Sequence, residues 1–201
     1  MKQQELEEIN SFYKSQLDAH FNADVPLVFG DGDVDSKIVL VGEAPGKNEV
    51  EQGKPFVGQA GKNLEEFINI LGIRREDLYI TNVVKFRPYR VNTDTGRESN
   101  RTPTKDEIKI STDFIERELS AIKPKLVASL GNIALRCILK DDKVTIGVLH
   151  GSPIDVKFAG AEFVLFPLYH PASIIYNRDL KDVYMEDLHK LKKYLAERMS
   201  V

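Results

Sequence analysis

Four side chains, far apart in the chain, are of types that together can read a planar heterocycle and stabilise charge on it: Glu43, Phe56, Asn82 and His170. An amide donates and accepts along a base edge. An aromatic ring stacks on its face. An imidazole or a backbone N–H holds negative charge as it develops on the ring. A run of cations follows Asn82: Lys85, Arg87, Arg90, Arg97 and Arg101, the most basic segment of a chain with net charge −3. Each of these residues also has a plainer reading. Phe56, between Pro55 and Val57, could be a core plug. Asn82 could be satisfied by backbone, since a buried amide is costly only when unbonded. His170 before Pro171 could be an ordinary strand-end residue, and the cations could be a solvated loop. No metal-ligand spacing occurs, and no Ser or Cys sits in a nucleophile elbow.

The elements that must position these groups are legible in the apolar pattern. The stretch from Leu40 to Gly61 holds five glycines and two prolines, and reads as a long loop between a strand at 37–41 and a helix from about Ala60 to Leu71, ended by Gly72. Long loops in compact domains are usually functional, and repeated glycines let backbone approach a ligand closely. A structural Ω-loop is the bland alternative. The glycines match neither a P-loop nor a G-x-G-x-x-G turn. Further strands are expected at 78–84, 126–130 and 163–168. Helices are expected at 2–21, after Thr104, where Thr104 and Glu107 form a capping box, shortly after Gly131, and at 180–198. Residues 143–160 read as glycine-rich turns with room for a hairpin. Alternating strands and helices predict a parallel sheet with helices on both faces, and ligands in such sheets bind beyond the carboxyl ends of the strands. The glycine loop, Asn82 and His170 all fall there.

Bulk composition narrows the class. The 201 residues are enough for one domain spanning 1–201, and 42% hydrophobic with 29% charged residues is an ordinary globular balance. No apolar run approaches a membrane span, and the acidic, polar start MKQQELEEIN does not read as a signal peptide. The single cysteine, Cys137, excludes an internal disulfide and suits a reducing, cytoplasmic setting.

Six motifs occur in order: GEAPG at 42–46, GKPFVG-x-AG at 53–61, TNVVK at 81–85, NR-x-PT at 100–104, KPKLVASLG at 123–131 and HPAS at 170–173. This set resembles the family 4 uracil-DNA glycosylases of bacteria and archaea, over about residues 37–178. The resemblance implies the uracil-DNA glycosylase fold, a three-layer α/β/α sandwich on a central four-stranded parallel sheet, and excision of uracil from single- or double-stranded DNA. It implies that Glu43 orients water or stabilises the sugar cation. Ala44 contributes a loop contact to the base, Phe56 stacks on uracil, Asn82 reads its edge, and His170 bonds the uracil O2 as it becomes anionic. Ile174, after Ser173, stands where the superfamily places an apolar wedge that fills the vacated base stack. Arg87, Arg90 and Arg101 are expected on phosphates, with Ser173 beside the wedge, and the protein is expected to act as a monomer. An alternative is a catalytically reduced DNA-binding protein on the same fold; a third reading is a small-molecule nucleotide hydrolase of an unrelated α/β family.

One departure stands out. Most family 4 enzymes hold an iron–sulfur cluster through four cysteines: two ahead of the first strand, one directly after TNVVK and one in the following helix. Here Phe86 follows Lys85, Ser111 stands in the helix, and no cysteine precedes Cys137. Four thiolates are required, so no cofactor is expected, with Phe86 filling the cluster's space.

Overall fold

The computed structural model describes residues 1–21, 24–158, 160–173 and 179–199. Their elements run α1 (Lys2–Phe21), β1 (Asp31–Gly32), β2 (Ile38–Gly42), α2 (Lys47–Gln52), α3 (Gln59–Leu71), a 3-10 turn (Arg75–Asp77) and β3 (Tyr79–Asn82). After them come β4 (Tyr89–Val91), β5 (Glu98–Asn100), α4 (Lys105–Ile122), β6 (Leu126–Leu130), α5 (Asn132–Leu139), α6 (Ile146–Leu149), β7 (Ile154–Phe158), β8 (Ala161–Leu168) and α7 (Leu180–Arg198).

The main sheet has the order β1-β3-β2-β6-β8-β7. Its middle four strands are parallel, as expected. Two antiparallel strands extend it at the edges. The edge strands were the harder part to foresee. β1 is only Asp31 and Gly32, with no apolar signal. β7 alternates half-buried and exposed residues, as an edge does, and forms with β8 the hairpin for which the glycine-rich turns left room.

Every residue of β2 and β6 is buried, because helices cover both faces. The period of two divides them. Val39, Val41 and Val127 pack with α1, α4 and α5, whereas Ile38, Leu40 and Leu126 pack with α3 and α7. That makes three layers. The chain leaves β2 to one side to form β3, then returns to pair β6 on the other. The carboxyl end of β2 is therefore the switch point of the sheet, where open α/β folds bind ligands. The register sets Gly42 opposite Asn82 there.

Two stretches expected as loops carry structure. Lys47–Gln52 makes a short helix, entered at Gly46 and closed by Gly53 in the left-handed conformation at φ 65°. Six residues with none buried give no periodicity to read. Residues 87–101 form the β4–β5 hairpin, exposed at every strand position. The Thr104 capping box is present: Thr104 Oγ1 accepts from Glu107 N at 3.2 Å, and Glu107 Oε2 accepts from Thr104 N at 2.7 Å.

Candidate active site

At the switch point lies a cavity of about 370 Å³, whose wall includes Ala44, Phe56, Asn82, Asn100 and His170. Asn82 ends β3 and is 2% exposed, yet its carboxamide has no hydrogen-bond partner among the described residues. Its polar edge is presented to the cavity. Space for it comes from Gly42: a Cβ there would lie 2.3 Å from Asn82 Oδ1 and 2.5 Å from Phe56 Cζ. Glycine at 42 is thus a packing requirement of the two side chains beside it.

The backbone beneath Asn82 is tied down by a residue that the sequence suggested was part of a basic surface. Lys85 is buried, not a surface cation. Its ammonium donates at 2.6 Å to the Asn82 carbonyl, to Thr81 Oγ1 and to Glu118 Oε2. Glu118 also accepts from Tyr79 and Thr81. A lysine beside a buried carboxylate and two further acceptors leaves the surface because the pair is fully bonded.

Phe56 is buried at 5% exposure and holds a positive φ of 53°. Its ring stacks against His170, with centroids 5.7 Å apart and planes 29° from parallel. His170 follows β8 in a turn where Ser173 N donates to its carbonyl at 2.8 Å. Asn63 of α3 donates to the Pro171 carbonyl at 2.8 Å and pins that turn. Ala172 N donates to His170 Nδ1 at 3.1 Å. Burial pushes the His170 pKa down to about 4, against a smaller opposing pull from the Glu49 charge. The imidazole is then neutral at pH 7. With Nδ1 accepting, its proton sits on Nε2, which is left as a donor.

Glu49 was not singled out by its residue type, yet it closes the loop. Its two carboxylate oxygens accept from Gly46 N at 3.1 Å and Gly58 N at 2.9 Å. The only sequence signal was its place three residues after Gly46 at a helix start. Asn100 was quoted only within a motif. It lines the cavity and accepts from Arg87 Nε at 2.8 Å, joining the hairpin to the site.

Of the expected site residues, Ala44, Phe56, Asn82 and His170 meet in one wall. Glu43 does not line the cavity; its neighbour does. The Glu43 carboxylate is half-buried with no partner among the described residues, and burial raises its pKa. The arginines also lie outside the wall. Arg101 makes a two-pronged pair with Glu107 at 2.7 Å on each side, and Arg87 pairs with Glu98 at 2.7 Å. Among the described residues the Arg90 side chain bonds Ser99 alone, at 3.2 Å. Ser173 is half-buried, and Ile174 lies outside the described residues.

A model of the uracil DNA glycosylase superfamily matches residues 29–192. The chain belongs to this superfamily. It is similar to the type-4 uracil-DNA glycosylase of Thermotoga maritima, at 39% identity over 173 residues, covering 85% of this chain and 84% of that protein. It is 38% identical to the type-4 enzymes of Saccharolobus solfataricus and Archaeoglobus fulgidus, covering 84% of this chain in both cases and 76% and 82% of theirs.

The iron–sulfur cluster expected of a family 4 enzyme does not suit these residues. Phe86 is buried edge-on against Phe21 at 5.2 Å. Ser111 Oγ lies 2.8 Å from Tyr13 OH and donates to the Glu107 carbonyl at 2.7 Å. Cys137 is buried on α5, 3.6 Å from Thr112 Oγ1. One thiol cannot make a four-thiolate site.

Proposed function

We propose that this superfamily member is a cofactor-free uracil-DNA glycosylase that flips uracil from single- or double-stranded DNA and hydrolyses its N-glycosidic bond. The observation that carries the reading is the pairing of an unbonded carboxamide with a neutral imidazole donor across one stacking ring. A base taken out of its stack is read along its Watson–Crick edge and sandwiched against aromatic rings. Phe56 supplies the face and Asn82 the edge.

The chemistry follows from where charge moves. As the bond between the sugar and N1 breaks, its electron pair goes to the base, and water adds to the sugar carbon with loss of a proton. His170 Nε2–H donates to the uracil oxygen on which that charge collects; a neutral donor avoids handing over its proton. Glu43, as the carboxylate, stabilises the positive sugar or orients the water. Loss of an unmatched buried amide's partner discriminates strongly between ligands, which favours Asn82 as the selector. It acts as a monomer, and a lone buried thiol suits the cytoplasm.

The test is formation of alkali-labile sites in oligonucleotides carrying one uracil, with thymine and hypoxanthine controls and with iron assayed in the same preparation. Cleavage at uracil by colourless, iron-free protein is expected. Folded protein that binds DNA without cleaving it would leave the DNA-binding alternative. Stoichiometric iron with visible thiolate absorption would refute the cofactor-free reading.

A further inference from the structure

We propose that Arg75 is a positioning residue for the base-stacking ring, holding Phe56 in its left-handed conformation. This rests on the reading of Phe56 as the stacking surface.

A bulky residue at φ 53° is a genuine outlier. Such strain persists only where the surroundings over-determine it. In this loop the restraint is concentrated on two carbonyls. Arg75, in the turn after α3, donates from Nη2 to the Pro55 carbonyl at 2.7 Å and from Nη1 to the Phe56 carbonyl at 3.3 Å. The same guanidinium also pairs with Glu65 Oε1 at 2.9 Å, a partly exposed contact separate from the two carbonyl bonds. The Phe56 carbonyl also lies close against Gly61, where an added Cβ would lie 2.1 Å from its oxygen. With both flanking peptide planes fixed, φ and ψ of Phe56 are set, which restricts the ring's rotamers; the ring packs beside Gly42 and on His170. Without the clamp the loop can relax to negative φ and swing the ring out of the wall. A guanidinium fork reaches two carbonyls at once, and an ammonium does not.

The test compares Arg75→Ala, Arg75→Lys, Glu65→Ala, Phe56→Ala and the Phe56→Ala/Arg75→Ala double variant in single-turnover cleavage, with thermal unfolding of each. Arg75→Ala should slow cleavage about tenfold, the scale of one lost base–aromatic stack. Arg75→Lys, which keeps charge and stem and so the fold, should be nearly as slow. Glu65→Ala should stay within about twofold, because the carbonyl bonds remain. The double variant should be no slower than Phe56→Ala alone, since both act through one ring. A lysine variant at the wild-type rate, a Glu65→Ala loss equal to that of Arg75→Ala, or a full further loss in the Phe56→Ala background would each overturn the clamp. A second readout does not depend on catalysis. The His170 ring-proton resonances should move in Arg75→Lys and stay in Glu65→Ala. If wild-type protein fails to cleave uracil while those resonances move, the proposed activity fails and the clamp stands.

Discussion

The cavity wall and the β4–β5 hairpin are joined at Asn100, and they handle polarity in opposite ways. In and beside the cavity two polar side chains are left unbonded while the backbone around them is tied. Asn82 and Glu43 have no side-chain partners among the described residues, but Lys85 holds the Asn82 carbonyl and Glu49 holds both ends of the loop. In the hairpin the strand residues are exposed, and Arg87 and Arg101 are bonded to neighbouring acids. Unbonded polar groups in a buried wall cost free energy, which a rigid frame must offset; the hairpin's pairs, each with one partner at the surface, are cheaper to break than the fully buried Lys85–Glu118 pair. One region is built to meet a single ligand shape, and the other to exchange partners.

The largest effect should come from cutting the frame. Lys85→Met removes one member of a buried, fully bonded pair and strands Glu118. A loss of about 3–5 kcal/mol in unfolding free energy is expected. Denaturant melts monitored by circular dichroism would measure it. A loss below about 1 kcal/mol, the scale of an exposed pair, would erase the contrast between the two regions.

Next is His170→Ala, which leaves the frame and deletes the donor. Single-turnover cleavage of a duplex with one uracil should fall ~100- to 1000-fold while binding to that duplex changes little. Folded variant protein cleaving at the wild-type rate would reduce His170 to a turn residue.

Glu43 and His170 also separate by pH. Burial raises the Glu43 pKa above the ordinary 4.5, so its carboxylate is lost early as pH falls. His170 is protonated only near pH 4 and stays a neutral donor through that range. The acid limb of the single-turnover rate should therefore lie above 4.5 and vanish in Glu43→Gln, which is slower but flat. The same imidazole makes the fold acid-sensitive. Its native pKa lies below its ordinary 6.5, so the unfolded chain binds more protons between about 6.5 and 4, and stability declines as pH falls through that window. A rate limb that persists unchanged in Glu43→Gln would move the titrating group elsewhere.

Local signals carried most of the fold. The Thr104 cap needs only Glu107, and the buried strands needed only their apolar runs, so both could be seen in sequence. The motifs carried Phe56, Asn82 and His170 into one wall. What could not be read depends on a partner far along the chain. Lys85 looks like its neighbour Arg87 until Glu118, 33 residues on, is brought to it by α4. The hairpin looked like free positive charge until Glu98 and Glu107 folded onto Arg87 and Arg101. The short helix α2 was hidden because it buries nothing.

The paired arginines of the hairpin give the smallest expected effect. Arg101 already holds Glu107 through two bonds, and Arg87 holds Glu98 and Asn100, so a phosphate would have to displace a partner to bind either. Among the described residues Arg90 has only a hydroxyl at 3.2 Å to give up. Each phosphate neutralised contributes close to one unit to the slope of log affinity against log salt. Arg90→Ala should lower that slope by about one and weaken all sequences alike. Arg101→Ala should change the slope by less and instead loosen the start of α4, because Glu107 also caps Thr104. The measurement is fluorescence-anisotropy titration of a uracil-free oligonucleotide at several salt concentrations. A full unit lost at Arg101 and none at Arg90 would mean that the internal pairs open on DNA, and that the hairpin's charge is held in reserve for the phosphates.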